Sequence, residues 1–212
     1  MSNTSRVDHY VDPVIEPIPI DDLRPTQITV GRKEVEDKRK RWKAQGIEKK
    51  MAFVEKHMVP VIVGPKDNYY ILDHHHLSLA LHEEGVKKVF VTVRADYSKL
   101  DKEAFWFVMD NLNLMHPFDE NGRRQPYDAI PRRVSGLIDD PYRSLAGSLR
   151  RAGGYAKADA SYVEFLWADF LRRYIARKQI DADYEGALDR ALQLARSGKA
   201  DYLPGWAGPE DD

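Results

Sequence analysis

The 212-residue chain contains no cysteine, which excludes a disulfide framework and every site that depends on a thiolate. It has no apolar run close to the roughly 18 residues of a membrane-spanning helix, and no apolar stretch follows a basic N-terminus. Its formal net charge of -1 provides no global basic field for binding nucleic acid. We therefore expect a soluble, cytoplasmic protein with no membrane partner, in which any contact with nucleic acid comes from a local patch.

Short apolar runs predict mixed α and β structure in the first half of the chain. The prolines around residues 18–20 indicate an edge strand, MVPVIVG and NYYILD indicate two paired strands, and KKVFVTVRAD indicates a third. Apolar residues spaced three to five apart predict helix over residues 33–57 with an interruption at Gly46. Another helix is expected over residues 75–84, ending at Gly85.

The pattern after Tyr97 is mainly helical. Ser98 and Asp101 have the spacing of a capping box, and the following helix presents Phe105, Val108 and Leu112 on one face. Two further apolar stripes are Val163, Leu166, Trp167, Phe170, Leu171 and Tyr174, then Tyr184, Ala187, Leu188, Ala191 and Leu192. The sequence therefore predicts an α+β fold with a loose segment at 1–16, a small mixed-sheet domain at 17–97 and a helical region at 98–212.

Three adjacent histidines lie between a predicted strand and a predicted helix in ILDHHHLSLAL, residues 71–81. The first turn of a helix has free backbone N–H groups and the positive end of the macrodipole, which together favour an anion such as phosphate. His74, His75 and His76 can donate hydrogen bonds to phosphate, and Asp73 can orient a histidine, accept a proton or help to hold a metal ion. Since successive helix positions point about 100° apart, at most two of these histidines would reach one ion. Simple helix capping by exposed polar side chains is the alternative.

Residues 17–97 resemble the ParB/sulfiredoxin superfamily. IPIDDLRPTQ is similar to the opening strand of that family, and MVPVIVGPKDNYYILDHHHLSLALHEEGVKKVFVTV is similar to its succession of strand, aspartate–histidine box, helix and closing strand. The most similar pattern is a ParB-like subgroup with a multi-histidine box and its own helical C-terminal part, often labelled as nucleases. The resemblance implies that phosphates are held at residues 73–77, with Mg²⁺ and ATP, ADP or CTP as the expected cofactors.

Departures from the family pattern narrow what the resemblance implies. Leu77 stands where the box usually ends in an arginine, so a bidentate phosphate clamp is missing there. The absence of cysteine excludes sulfiredoxin chemistry, and no convincing helix-turn-helix follows the domain, which disfavours chromosome partitioning. Arg150 and Arg151, in GSLRRAGGYAK, could reach the same phosphate from the C-terminal part, although helix termination at the glycines also explains that segment.

Glu34 and Glu36 lie where the kinases of the superfamily place a catalytic carboxylate, so the resemblance makes one of them a candidate general base; a solvated helix face is the alternative. The same alternative, a solvated helix face, holds for the basic run RKEVEDKRKRWK, whose acidic residues partly neutralise it.

Two hypotheses about the function remain. The protein is an enzyme for phosphoryl transfer or phosphoester hydrolysis on a small phosphorylated ligand, with Asp73, His75 and Glu34 catalytic and Asp73 on the metal, or it is a non-catalytic module that senses nucleotide or binds nucleic acid.

Overall fold

A computed structural model describes residues 14–209 and has the α+β fold that the sequence predicts. The strands are β1 Val14–Pro19, β2 Leu23–Arg24, β3 Thr29–Val30, β4 Val59–Gly64, β5 Asn68–Ile71, β6 Lys88–Asp96 and β7 Ile138–Asp139. The helices are α1 Arg32–Lys43, α2 Ile47–Lys56, α3 His75–Glu83, α4 Lys102–Asn111, α5 Pro141–Arg151, α6 Val163–Tyr174, α7 Arg177–Ala182 and α8 Tyr184–Ala195. Of the segment predicted to be loose, residues 1–13 lie outside the described part, and β1 occupies the remainder.

Five strands form a mixed sheet in the order β1-β6-β4-β5-β2. The predicted pair of strands is the antiparallel hairpin β4–β5, and β1 is an edge strand as expected. Valines at alternate positions of β6, from Val89 to Val93, are buried against α3, because side chains one residue apart in a strand point to opposite faces. The helix predicted over 33–57 is divided into α1 and α2 around Gly46, and Gly85 follows α3 with a φ of 76°.

A second, two-stranded sheet joins the sheet domain to the helical region. β3 lies directly before α1, β7 lies directly before α5, and the two strands pair in parallel. The apolar core also continues across the boundary expected near residue 98, since Ile62 and Tyr70 of the sheet pack with Phe105 and Met109 of α4. The first turns of α1 and α5 are consequently neighbours in the fold.

The C-terminal helices enclose their own apolar core around Trp167, which is fully buried. Parts of the predicted stripes are wrong in detail: Leu112, Leu166 and Tyr174 are 53%, 45% and 43% exposed. The cap of α4 also differs from the prediction, because the Asp101 side chain, and not Ser98, accepts the hydrogen bond from Ala104 N at 2.8 Å.

Within residues 14–209 no helix has both the length and the apolar character needed to cross a membrane.

Candidate functional site

The N-terminal ends of α1, α3 and α5 meet at one place. Gly31 N, just before α1, donates to His76 Nε2 of α3 at 2.9 Å, and Lys33 N donates to Ser144 Oγ of α5 at 3.1 Å. A Cβ on Gly31 would lie 2.7 Å from Ser144 N, so only glycine allows this approach of the two backbones. The helix starts are thereby held around a shared space.

That space is a polar cavity of about 350 Å³, which we call the Arg143 cavity. Its charged and imidazole side chains are Glu34, Asp73, His76, Arg143, Arg150, Lys157 and Glu164. The first three belong to the predicted sheet domain and the others to the helical region. Residues that the sequence proposed from both halves of the chain therefore share one cavity.

Arg143 is the most unusual residue of the cavity. It is only 6% exposed, and its Nε and Nη1 atoms have no hydrogen-bond partner among the described residues. Its guanidinium lies 4.3 Å from the ring centroid of Phe165, and no carboxylate of the described chain forms an ion pair with it. It is also the third residue of α5, where the macrodipole disfavours a cation. A buried arginine without an acceptor is costly, so this arrangement favours an anionic ligand.

His76 of α3 and Glu34 of α1 line the same cavity. Because His76 Nε2 accepts from Gly31 N, a neutral ring carries its proton on Nδ1. Burial lowers the pKa of His76 to about 4, so the ring is neutral at pH 7. Burial alone would raise the pKa of Glu34, but His76, Lys38 and Arg143 outweigh it and hold that pKa below its ordinary value. Glu34 is therefore a carboxylate, 3.7 Å from His76 Nε2 and 3.4 Å from Lys38 Nζ.

The other members of the predicted aspartate–histidine box have different environments. Asp73 is exposed on the cavity wall, and its Oδ1 accepts from His74 N at 2.6 Å. His74 has a left-handed backbone, with a φ of 70°, and its buried Nδ1 has no partner among residues 14–209.

His75 turns away from the cavity and into the protein. It is 4% exposed, and its Nε2 accepts from Thr26 N at 3.2 Å. Burial lowers the pKa of His75 to about 3, which keeps the ring neutral. The expectation that His75 binds phosphate or acts as a catalytic group has no support in this placement, because its side chain is not part of the cavity lining.

The two arginines at the end of α5 differ from each other. Arg150 lines the cavity and forms an ion pair with Glu164, so it can reach a ligand there. Arg151 is exposed, is not part of the lining and donates to Ser148 Oγ at 3.0 Å. Lys157 also lines the cavity and has no ion pair within the described chain. The position left without an arginine, Leu77, is 6% exposed in the core of the sheet domain.

Sequence reasoning missed Arg143. The signal that could have located it is DPYR, because aspartate at the N-cap followed by proline predicts a helix start and places the arginine in the first turn. Its burial depends on the packing of α5 between α1 and α6, which periodicity does not reveal.

In the described part of the chain no three histidine or acidic side chains form a cluster that could hold a metal by themselves. Mg²⁺ needs only one or two carboxylates when a phosphate completes its coordination, and the carboxylates of this lining are Glu34, Asp73 and Glu164.

The comparisons with known proteins also extend from the sheet domain into the helical region. A family model described as "Putative ParB-like nuclease" matches residues 16–173, across the boundary expected near residue 98. Among solved structures, protein Atu1540 from Agrobacterium tumefaciens is 50% identical, with a TM-score of 0.88 over 94% of this chain and 99% of that chain. A search of curated proteins finds no match. Because the family model spans well over half of the sequence, the chain belongs to this ParB-like family.

Proposed function

We propose that the protein binds a small phosphorylated ligand, such as a nucleotide, in the Arg143 cavity and catalyses phosphoryl transfer or phosphoester hydrolysis there. The observation that carries the proposal is the buried guanidinium of Arg143, which has two nitrogen atoms without a protein acceptor. Phosphate oxygens match the planar donors of arginine, and a phosphate in the cavity would give this guanidinium the anionic partner that no carboxylate of residues 14–209 provides. Arg150 and Lys157 in the lining of the same cavity add to this preference for an anion.

Five polar residues of the cavity have a proposed role in this reaction. Arg143 and Arg150 bind the phosphate, and the Nδ1–H of neutral His76 is a further donor. Glu34 and Asp73, which both line the cavity, would hold Mg²⁺ together with ATP, ADP, CTP or another phosphoester. Bound Mg²⁺ would neutralise charge on the phosphate oxygens. Because its pKa is lowered, Glu34 is better suited to hold a cation or orient the attacking hydroxyl than to retain a proton at pH 7.

The roles proposed from sequence for the first two histidines change with this geometry. His75 is a positioning residue, since its bond to Thr26 N fixes the start of α3 relative to the loop before β3. His74 occupies the N-cap of the same helix. Arg151 donates to Ser148 at the C-terminal end of α5 and does not contribute to the proposed phosphate clamp.

A second candidate function is a module that binds the same ligand without turnover. The ion pair between Glu34 and Lys38 favours it, because a carboxylate already engaged by lysine is a weaker ligand and a weaker base. The two functions share the phosphate site and differ only in whether Glu34 acts on the ligand.

The test combines a binding and a turnover measurement. Melting temperatures are recorded with phosphate, pyrophosphate, ATP, ADP and CTP, with and without Mg²⁺; a ligand at 100 times its Kd stabilises the fold by about 2.7 kcal/mol. Products are then analysed for nucleotides, for phosphodiesters and for candidate hydroxyl acceptors. We expect Glu34→Gln to keep the thermal shift that the ligand produces without Mg²⁺ and to lose turnover by about a hundredfold or more. Absence of any thermal shift in the wild type would refute both functions, and a shift without any product would favour the binding module.

A further inference from the structure

A second cavity, of about 600 Å³, lies apart from the Arg143 cavity and shares no lining residue with it. It is formed by the end of β2, the β4–β5 connection, α4 and residues 127–132. We propose that this cavity binds a nucleotide unit of single-stranded nucleic acid. The proposal is independent of the proposed function, because it concerns a different surface.

Positive charge surrounds this cavity although the chain as a whole is nearly neutral. Its lining contains four cations and one carboxylate, namely Arg24, Lys66, Lys102, Arg132 and Asp128. Lys102 pairs with Asp128, whereas the other three cations form no ion pair within residues 14–209. Arg24 also lies 5.9 Å from the ring centroid of Tyr70, and cations without a carboxylate partner can still contact phosphates.

Aromatic rings form the wall behind these cations. Trp106 and Tyr127 are stacked with centroids 5.9 Å apart, and Tyr70 meets the Trp106 ring edge-on at 5.4 Å. Tyr70 and Trp106 are each 7% exposed, so Tyr127, which is half-buried, offers the most accessible ring. Aromatic rings beside cations are the combination with which proteins bind unpaired bases and their phosphates.

The arrangement of the cations favours a strand over a free nucleotide. Arg24, Lys66 and Arg132 come from three separate chain segments around the cavity. The phosphates of a mononucleotide lie at one end of the molecule, whereas the backbone of a strand can contact cations at several places. A base must also be unpaired to enter a recess of this size, which favours single-stranded over double-stranded nucleic acid.

The test measures the binding of a fluorescently labelled oligo-dT by anisotropy at several salt concentrations. The double variant Lys66→Ala/Arg132→Ala removes two unpaired cations, and Lys49→Ala/Lys56→Ala is the control, because it removes two exposed lysines from α2. We expect the first pair to weaken binding by roughly tenfold or more and to lower the salt slope by about 0.7 per lost contact. The control pair should leave both quantities nearly unchanged.

Two further variants separate the contribution of the aromatic ring from that of the cations, and binding at this cavity from binding at the Arg143 cavity. Tyr127→Leu keeps an apolar side chain but removes the ring, and we expect roughly tenfold weaker binding with little change in the salt slope. Arg143→Met should bind the oligonucleotide as the wild type does, so failure of the proposed function does not decide this inference. The inference is overturned if the wild type does not bind the oligonucleotide or if the control pair weakens binding as much as the test pair. It is also overturned if a mononucleotide competes as effectively as the strand.

Discussion

Replacing Arg143 with methionine should make the ligand-free protein more stable. Methionine is unbranched, extends as far as the Nε of arginine and carries no polar donor, so it can occupy the aliphatic part of the path of the arginine, whose guanidinium lies over Phe165. The change removes a buried charge that has no protein acceptor at Nε and Nη1. If these donors exist to bind phosphate, the folded protein without phosphate bears an energetic cost that Arg143→Met relieves.

The magnitude follows from the contacts of the guanidinium. A buried donor without a partner costs about 1–3 kcal/mol, and two of the nitrogen atoms of Arg143 are in this state. The stacking on Phe165 offsets this by about 0.5–2 kcal/mol. We therefore expect the free energy of unfolding to rise by about 2 kcal/mol, which raises the melting temperature of a chain of this size by about 4–8 °C.

The assay is thermal unfolding of wild type and variant, each with and without phosphate or pyrophosphate. Arg143→Met should melt at a higher temperature without ligand and should lose the stabilisation by ligand. Arg190→Met is the control, because Arg190 is exposed on α8 and bonds only to Gln193 of the same helix among the described residues. It should change stability by less than about 0.5 kcal/mol and retain the ligand shift.

The reasoning is refuted if Arg143→Met lowers the melting temperature without ligand. That result would mean that the guanidinium is satisfied in the folded protein, by ordered water for example, and that its burial says nothing about a ligand. A persistent shift by phosphate in the variant would refute the assignment of Arg143 as the phosphate clamp.

Three further changes test the architecture around the site. Gly31→Ala places a Cβ 2.7 Å from Ser144 N and should destabilise the fold by about 1–3 kcal/mol in urea unfolding; unchanged stability would contradict the close approach of α1 and α5. Thr26→Val removes the 2.6 Å hydrogen bond to Ile71 O and should cost about 1–2 kcal/mol, whereas a neutral result would show that water replaces the hydroxyl. Burial and nearby arginines lower the pKa of His116 to about 3, so the unfolded chain binds the extra proton first and stability falls as pH drops from about 6.5 towards 3. His116→Phe should reduce this loss by up to about 1.4 kcal/mol per pH unit, and an identical pH profile would contradict an imidazole that stays neutral in the folded protein.

The sequence was most informative where apolar periodicity alone determines an element. The β4–β5 hairpin, the helix beginning at His75 and the helix split near Gly46 were predicted because their patterns are local. The exposure of Leu166 on α6 could not be predicted, because periodicity gives the width of an apolar face but not how much of it the neighbouring helices cover.

The candidate site was predictable only in part, for a similar reason. Asp73 and His76 follow from the strand-to-helix junction, and Glu34 follows from the resemblance. Three adjacent histidines look equivalent in a sequence, yet only His76 lines the cavity, because successive residues at the start of α3 point in different directions. Arg143 was missed because a single arginine in a helix is usually exposed, and its burial depends on α5 lying between α1 and α6.

The position of the phosphate clamp explains why Leu77 does not argue against a phosphate site. Leu77 is buried in the sheet core, where an arginine would have to bury its charge or displace its neighbours. The pairing of β3 with β7 instead sets the first turn of α5 beside that of α1, so Arg143 lines the same cavity as Asp73 and His76 of the aspartate–histidine box. The site is therefore composite, and residues 17–97 alone contain Glu34, Asp73 and His76 but none of the arginines proposed to bind the phosphate. An exchange of the two side chains, Leu77→Arg with Arg143→Met, should consequently not restore phosphate binding, because the two positions face different parts of the protein.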